Sequence, residues 1–143
     1  MENLTLLIPA KFESESLPIV LIELKKFNYK TCVILKETDS STINSINSFD
    51  VEVIYQNGIG YGNALIEGIN QCKTKYFCIF NADGSFDPKE IINIMKQIEA
   101  KNKDFIFASR YEKNGGSDDD TLITYIGNKT FSFIGKVFFK LEI

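Results

Sequence analysis

The sequence predicts an α/β domain with a mostly parallel, doubly wound sheet, and three observations predict it. Short apolar runs alternate with stretches of helical period along most of the chain, joined by short turns. Glycine, asparagine and aspartate gather where the apolar runs stop. The segment over residues 76–88 shows the pattern best: an apolar run ends in Asn81-Ala82-Asp83-Gly84-Ser85, and a helix start follows at once. Open α/β sheets bind ligands beyond the carboxyl ends of their strands, so Asp83 is the residue around which a site is expected.

Leu4-Thr5-Leu6-Leu7-Ile8 reads as a buried first strand stopping at Pro9. Residues 14–27 place Leu17, Val20, Leu21, Leu24 and Phe27 at helical spacing, with Pro18 in the first turn, where proline is tolerated. Residues 31–35 form a second strand, and Asp39-Ser40-Ser41-Thr42 supplies the cap of a short helix through Ile43 and Ile46. Residues 51–55 form a third strand. The glycine-rich turn Asn57-Gly58-Ile59-Gly60-Tyr61-Gly62 then leads into a helix over 63–72, with Ala64, Leu65, Gly68, Ile69 and Cys72 on its apolar side. After the fourth strand, Asp87 suits an N-cap, Pro88 the first helical position, and Glu90 a capping box. The helix over 88–100 should turn Ile91, Ile94, Met95 and Ile98 inward, and residues 104–108 are expected as a fifth strand.

The tail differs. Residues 114–120 read as a flexible acidic loop, and 121–141 are richly apolar with Lys129, Ser132, Lys136 and Lys140 in one narrow polar stripe. The lysines interrupt the run, so a transmembrane span is not supported. Two readings stay open for this helix: a membrane-interface helix or a core helix packed on the sheet. Absence of a C-cap signal at Ile143 suggests that the chain continues in a longer protein.

Composition narrows the chemistry. A net charge of -3 gives no footprint for nucleic acid. With His 0, Ser-His-Asp and Cys-His nucleophiles, histidine zinc ligands and a histidine general base are excluded. Cys32, Cys72 and Cys78 lack metal-ligand spacing and read as reduced core residues, which fits a cytoplasmic setting. The N-terminus does not read as a signal peptide. Arg110 is the sole arginine, which raises the question of a bidentate phosphate donor there.

A divalent cation beside a diphosphate wants hard oxygen ligands, and Asp83 with Asn81 and Ser85 offers them. The same residues could equally form an Asx-capped turn and nothing more. Gly58 to Asn63 imitates a dinucleotide fingerprint, but its third glycine position is Asn63 and it follows the third strand, so an NAD reading is rejected. Glu13, Glu37 and Asp39 also fall at the carboxyl edge.

Four segments in order carry a resemblance: Ile8-Pro9-Ala10-Lys11-Phe12-Glu13; Gly60-Tyr61-Gly62-Asn63-Ala64 through Gly68-Ile69; Phe80-Asn81-Ala82-Asp83-Gly84; and Ala108-Ser109-Arg110-Tyr111. In these the chain resembles the family 2 glycosyltransferases of GT-A fold, in particular their dolichyl-phosphate (polyprenyl-phosphate) mannosyl- and glucosyltransferase branch. The resemblance implies a three-layer, Rossmann-like nucleotide-sugar-binding domain over 1–113, and an acceptor-side loop and amphipathic helix of the same domain over 114–143.

It further implies a donor pocket built from Pro9, Ala10, Glu13, Glu37, Asp39, Gly62, Asn63, Asn81, Ala82 and Asp83. Mg²⁺ or Mn²⁺ would sit on Asp83 with Ser85, and Asp83 and Arg110 would carry catalysis. Arg110, Ser117, Asp118 and Asp119 would face the acceptor. The implied partners are a GDP- or UDP-linked sugar, a polyprenyl phosphate or other acceptor, and a membrane surface at the cytoplasmic face.

The chain departs from the family's pattern at two motifs. Asn81 stands where the usual signature has its first aspartate, and Lys36-Glu37-Thr38-Asp39-Ser40 replaces an Asp-Asp-Gly-Ser motif. Asn81 also argues against a haloacid-type phosphatase, whose nucleophile would be that missing aspartate. The other alternative is a non-catalytic nucleotide-binding module.

Overall fold

The computed structural model of the chain describes residues 3–101, 103–108 and 121–140. The chain forms two compact units, Met1–Ala100 and Lys101–Ile143. The first holds a parallel sheet of β1 (Leu4–Pro9), β2 (Lys30–Leu35), β3 (Glu52–Tyr55) and β4 (Tyr76–Ile79) in the order β3-β2-β1-β4. Between and after the strands run α1 (Ser16–Lys25), α2 (Ser40–Ile46), α3 (Tyr61–Gln71) and α4 (Glu90–Lys101). The expected α/β architecture is therefore the observed one.

Strand alternation sorts the core into two faces. Leu4, Leu6 and Ile8 of β1 and Val33 and Leu35 of β2 cluster with Leu17, Val20, Leu21 and Leu24 of α1, Ile46 of α2, and Ile91 and Met95 of α4. Burying each such aliphatic side chain of α1 contributes about 1.5–3 kcal/mol over leaving it exposed. Leu7, Cys32 and Ile34, one residue out of phase, join Ile54 of β3 and Ala64 of α3 in the second cluster. Helices thus cover both faces, giving three layers.

Gly68 lets α3 approach closely: a Cβ there would lie 3.0 Å from Ile34 Cδ1 and 3.5 Å from Leu7 Cδ1. Cys32, Cys72 and Cys78 are all free thiols. Burial, with the neighbouring Glu52 carboxylate adding to it, pushes the Cys32 thiol up to about 12.

The strand order positions the site. β2 and β3 step outward on one side of β1, and β4 returns to its other side. The direction of winding reverses between β1 and β4, the switch point at which such sheets open a ligand crevice. Register pairs Leu7 with Ile79, and the Phe80 N–H donates to the Leu7 carbonyl at 2.9 Å. Pro9-Ala10 and Asn81-Ala82-Asp83 therefore leave the sheet side by side.

Three local expectations are corrected. Residues 103–108 form no strand; Phe105 and Phe107 are exposed and pack on each other at 4.4 Å. A short β-prone run becomes a strand only with a ladder partner, and among the described residues the sheet ends at β4.

At the start of α4, the Asp87 carboxylate caps the Lys89 N–H at 2.9 Å, and regular helix begins only at Glu90. Pro88 lies before it, and the Tyr29 hydroxyl donates to its carbonyl at 3.3 Å. The Glu90 carboxylate accepts from Asn93 Nδ2 at 3.3 Å instead of closing the capping box.

In the second unit, α5 (Leu122–Phe139) is capped by Thr121, whose hydroxyl oxygen accepts from the Thr124 N–H at 3.3 Å. It ends where Lys140 turns left-handed at φ 53°. Ile123, Phe131 and Phe138 on this helix are exposed. Among the described residues no helix is long and apolar enough to cross a membrane.

Candidate functional site

Asp83 stands in a turn that its own side chain organises. Its Oδ1 accepts the Ser85 N–H at 2.9 Å, and Gly84 takes φ 80°, a conformation that costs a glycine little. The Ser85 hydroxyl and N–H together hold the Asp83 carboxyl below its usual range. Asn81 Nδ2 donates to Ser85 Oγ at 3.1 Å, closing a polar ring at the mouth of the crevice. Buried Phe80 and Ala82 anchor this turn, and Phe86 packs edge-on against Phe80 at 5.6 Å. An Asx turn is thus present, and it presents an exposed, ionised carboxylate at the switch point.

The β1 and β2 loops are tied together by Asp39. This carboxylate is only 3% exposed, yet it accepts hydrogen bonds from the Phe12 N–H at 2.7 Å, the Ser41 hydroxyl at 3.0 Å and the Thr42 N–H at 3.3 Å. Burial alone would raise its pKa; those donors outweigh burial and lower it. The Thr42 hydroxyl oxygen accepts the Glu13 N–H at 3.0 Å, and the Ser16 hydroxyl donates to Glu13 Oε2. Phe12, held between these ties, has φ 60° and is 74% exposed. A left-handed conformation costs a bulky residue about 1–2 kcal/mol, so it persists only where neighbours impose it.

The glycine-rich turn is pinned by a residue the sequence did not single out. Glu67 of α3 accepts the Asn57 N–H at 2.9 Å and the Gly58 N–H at 3.3 Å through Oε1, and Asn57 Nδ2 at 3.3 Å through Oε2. Those bonds, the Gly58 N–H first, hold the Glu67 carboxyl below its ordinary value. From the β2 end, Lys36 Nζ donates to the Asn57 carbonyl at 3.1 Å. Gly60 turns at φ 91° to start α3. The Asn63 amide fills the space beside Gly58, where a Cβ would fall 2.3 Å from Asn63 Cγ.

The structure therefore gathers Pro9, Ala10, Glu13, Glu37, Asp39, Asn81, Ala82, Asp83 and Ser85 along one sheet edge, with Gly62 and Asn63 opening the helix after β3. Asp39 faces inward and serves the scaffold, whereas Glu37 is exposed. Arg110, Ser117, Asp118 and Asp119 lie outside the described residues. Phe12 and Glu67 were missed. The signal for Glu67 was a glycine-rich turn whose N–H groups had no evident acceptor; Phe12 carried none, because its backbone angle follows from a contact across 27 residues.

An open parallel sheet covered on both faces, with its polar turns collected at the carboxyl edge beside a switch point, defines a Rossmann-like ligand-binding domain of the GT-A kind. The profile of the family described as glycosyl transferase family 2 matches residues 5–142, and the chain belongs to that family. It is 25% identical over 138 residues to an uncharacterized protein of Methanocaldococcus jannaschii, covering 93% of this chain and 57% of that one. Uncharacterized glycosyltransferases of Mycobacterium bovis and Mycobacterium tuberculosis are each 25% identical over 109 residues, covering 76% of this chain and 49% of theirs. The chain thus spans about half the length of the curated relatives it matches. No solved structure matches it significantly.

Family members commonly use divalent metals. The turn offers one carboxylate, Asp83, with amide and hydroxyl oxygens from Asn81 and Ser85. Among the described residues no three histidine, cysteine or acidic side chains gather to hold a metal alone. Such a donor set fits Mg²⁺ or Mn²⁺, hard cations that bind through one or two carboxylates and complete their shell with water and substrate phosphate oxygens.

Proposed function

We propose that the chain is the donor-binding domain of a glycosyltransferase that moves a sugar from a GDP- or UDP-linked donor to a polyprenyl phosphate, with inversion and a divalent metal. The observation that carries this reading is the ionised Asp83 carboxylate, presented at the β1/β4 switch point beside the Pro9-to-Glu13 loop in a chain of this family.

An acceptor phosphate oxygen, already anionic, forms the new bond to the anomeric carbon. The bond from that carbon to the diphosphate oxygen breaks, and the nucleoside diphosphate leaves with the electron pair. No proton needs to be removed, which suits a chain with His 0. Bound metal would supply charge neutralisation for the departing diphosphate. Asp83 would hold that metal, with Ser85 and Asn81 fixing the turn; Glu13 and Glu37 would line the donor pocket, and Asp39 would fix its wall. Arg110 would contact phosphate, Ser117, Asp118 and Asp119 would face the acceptor, and α5 would lie at the cytoplasmic face of a membrane. Catalysis is then positioning and electrostatic stabilisation.

Thermal melting tests this reading. GDP or UDP with Mn²⁺, at about a hundred times its dissociation constant, should stabilise the chain by about 2.7 kcal/mol, and Asp83→Ala should remove the metal-dependent part. No shift with any nucleoside diphosphate would overturn it. Asn81 in place of a second carboxylate favours one rival, a non-catalytic nucleotide-binding module. Donor binding without transfer to polyprenyl phosphate, in the full-length protein, would select that rival.

A further inference from the structure

Asn57 and Gly58 form the dipeptide in which an asparagine side chain is most open to attack by its own backbone. The glycine nitrogen, with no Cβ beside it, can reach the asparagine Cγ and close a cyclic imide. Among the described residues Asn57 is the only asparagine that glycine follows, and it is exposed, outside any helix or strand. The fold cannot remove this hazard by changing the glycine. A Cβ at Gly58 would fall 2.3 Å from Asn63 Cγ, so the packing of α3 against the turn requires glycine there.

The hazard is met by a clamp. Both ends of the Asn57–Gly58 peptide are held: Lys36 Nζ donates to the Asn57 carbonyl at 3.1 Å, and the Gly58 N–H donates to Glu67 Oε1 at 3.3 Å. Glu67 Oε2 accepts from Asn57 Nδ2 at 3.3 Å, and Oε1 also takes the Asn57 N–H at 2.9 Å. The nucleophile and the leaving group of the cyclisation are thus bonded to one carboxylate. Gly58 N attacks only after losing its proton, and the adjacent carboxylate opposes a second negative charge there. Attack also requires the peptide plane to turn toward Cγ, which breaks the Lys36 and Gly58 bonds together.

We propose that Asn57 is a site of spontaneous covalent modification, held in check by Glu67 and Lys36 while the glycine-rich turn is closed. When the turn opens, the Gly58 nitrogen gives up its proton and bonds to Asn57 Cγ. The Cγ–Nδ2 bond breaks, and ammonia leaves carrying that proton. Water then opens the imide at either carbonyl, leaving aspartate or isoaspartate. The change runs one way, because the new carboxylate meets Glu67 Oε2 where an N–H donor stood, and like charges repel. A turn that has reacted therefore stays open. This chemistry does not depend on the donor reading above.

Ageing the chain in mildly alkaline buffer is the test, with conversion at each asparagine read from peptide masses and isoaspartate read by enzymatic methylation. In the folded chain Asn57 should convert about tenfold or more slowly than in the urea-unfolded chain, the ratio reporting the closed turn. Glu67→Ala should remove most of that protection, and Lys36→Met part of it. Asn47, followed by Ser48 at the end of α2, is the internal control and should keep its parental rate in both variants. If Glu67→Ala melts below the ageing temperature, Glu67→Gln, which keeps one acceptor oxygen, should show the same loss in smaller measure.

Asn57→Asp should speed hydrogen exchange at the Gly58 amide about tenfold. Equal conversion of Asn57 in the folded and unfolded chain overturns the proposal, as does full protection in Glu67→Ala. Acceleration of Asn47 together with Asn57 also overturns it, since Glu67 would then be stabilising the whole unit. Parental exchange at Gly58 in Asn57→Asp overturns the one-way opening.

Discussion

The Asp39 carboxylate accepts the Phe12 N–H at 2.7 Å, fastening the end of β1 to the start of α2. One side chain therefore caps a helix and sets the angle of a loop at the ligand edge. Asp39→Ala removes the cap and leaves buried donors unpaired, and should destabilise the chain by about 2–4 kcal/mol, read as a lower Tm.

The same bonds predict a pH dependence. The folded-state pKa of Asp39 is lowered, so its contribution is fully present above the unfolded value of about 4. As pH falls below that value the unfolded state takes up the proton first, and the contribution is lost on the way down to the folded pKa. Melting from pH 7 to pH 3 should show this loss, and Asp39→Ala should flatten it.

Gly68 faces Ile34 Cδ1 at what would be 3.0 Å from a Cβ. Gly68→Val should force α3 from the sheet and cost about 1–3 kcal/mol, seen as a lower denaturant midpoint. Gly68→Ala should cost less, because the Ile34 side chain can yield and alanine favours helix.

Glu67 holds the Asn57 and Gly58 N–H groups at the start of the glycine-rich turn. Glu67→Ala should speed hydrogen exchange at those two amides about tenfold or more while leaving exchange in β1 and β2 unchanged. Equal acceleration throughout would show that the bond stabilises the whole unit and not this turn.

In the proposed metal site, Asn81 would set how much charge the cation meets. Asn81→Asp adds a second carboxylate to the turn, and its oxygen can accept from the Ser85 hydroxyl where the amide now donates. Mn²⁺ affinity without nucleotide should rise about tenfold, measured by calorimetry, because divalent affinity follows the number of charged oxygen ligands. Unchanged affinity would place the metal elsewhere.

Much of this was readable from residue order. The apolar runs over 4–8 and 31–35 became β1 and β2, and the Asp39 cap and the turn through Asp83 appear where local chemistry put them. Those features depend on side chains a few residues apart. The run over 104–108 misled because strand propensity says nothing about whether a partner edge is available. The reciprocal cap at Glu90 failed because regular helix starts at Glu90 itself, so its carboxylate sits at the first helical position and not at the third, where it could reach back.

By itself, the sequence determined the α/β class, the inward faces of α1 and α4 and the acid at the end of β4, since each follows from periodicity, capping and strand alternation. On α3 only Ala64 and Gly68 are buried, and Ile69, expected inward, is exposed. Tertiary structure alone decided that Asp39 binds Phe12, that Glu67 binds the glycine-rich turn, and that Gly68 meets Ile34. It also decided that the Asp83 turn opens beside the end of β1. These are contacts between segments far apart in the chain, and they depend on which strands become neighbours and in what register, which local preference does not encode.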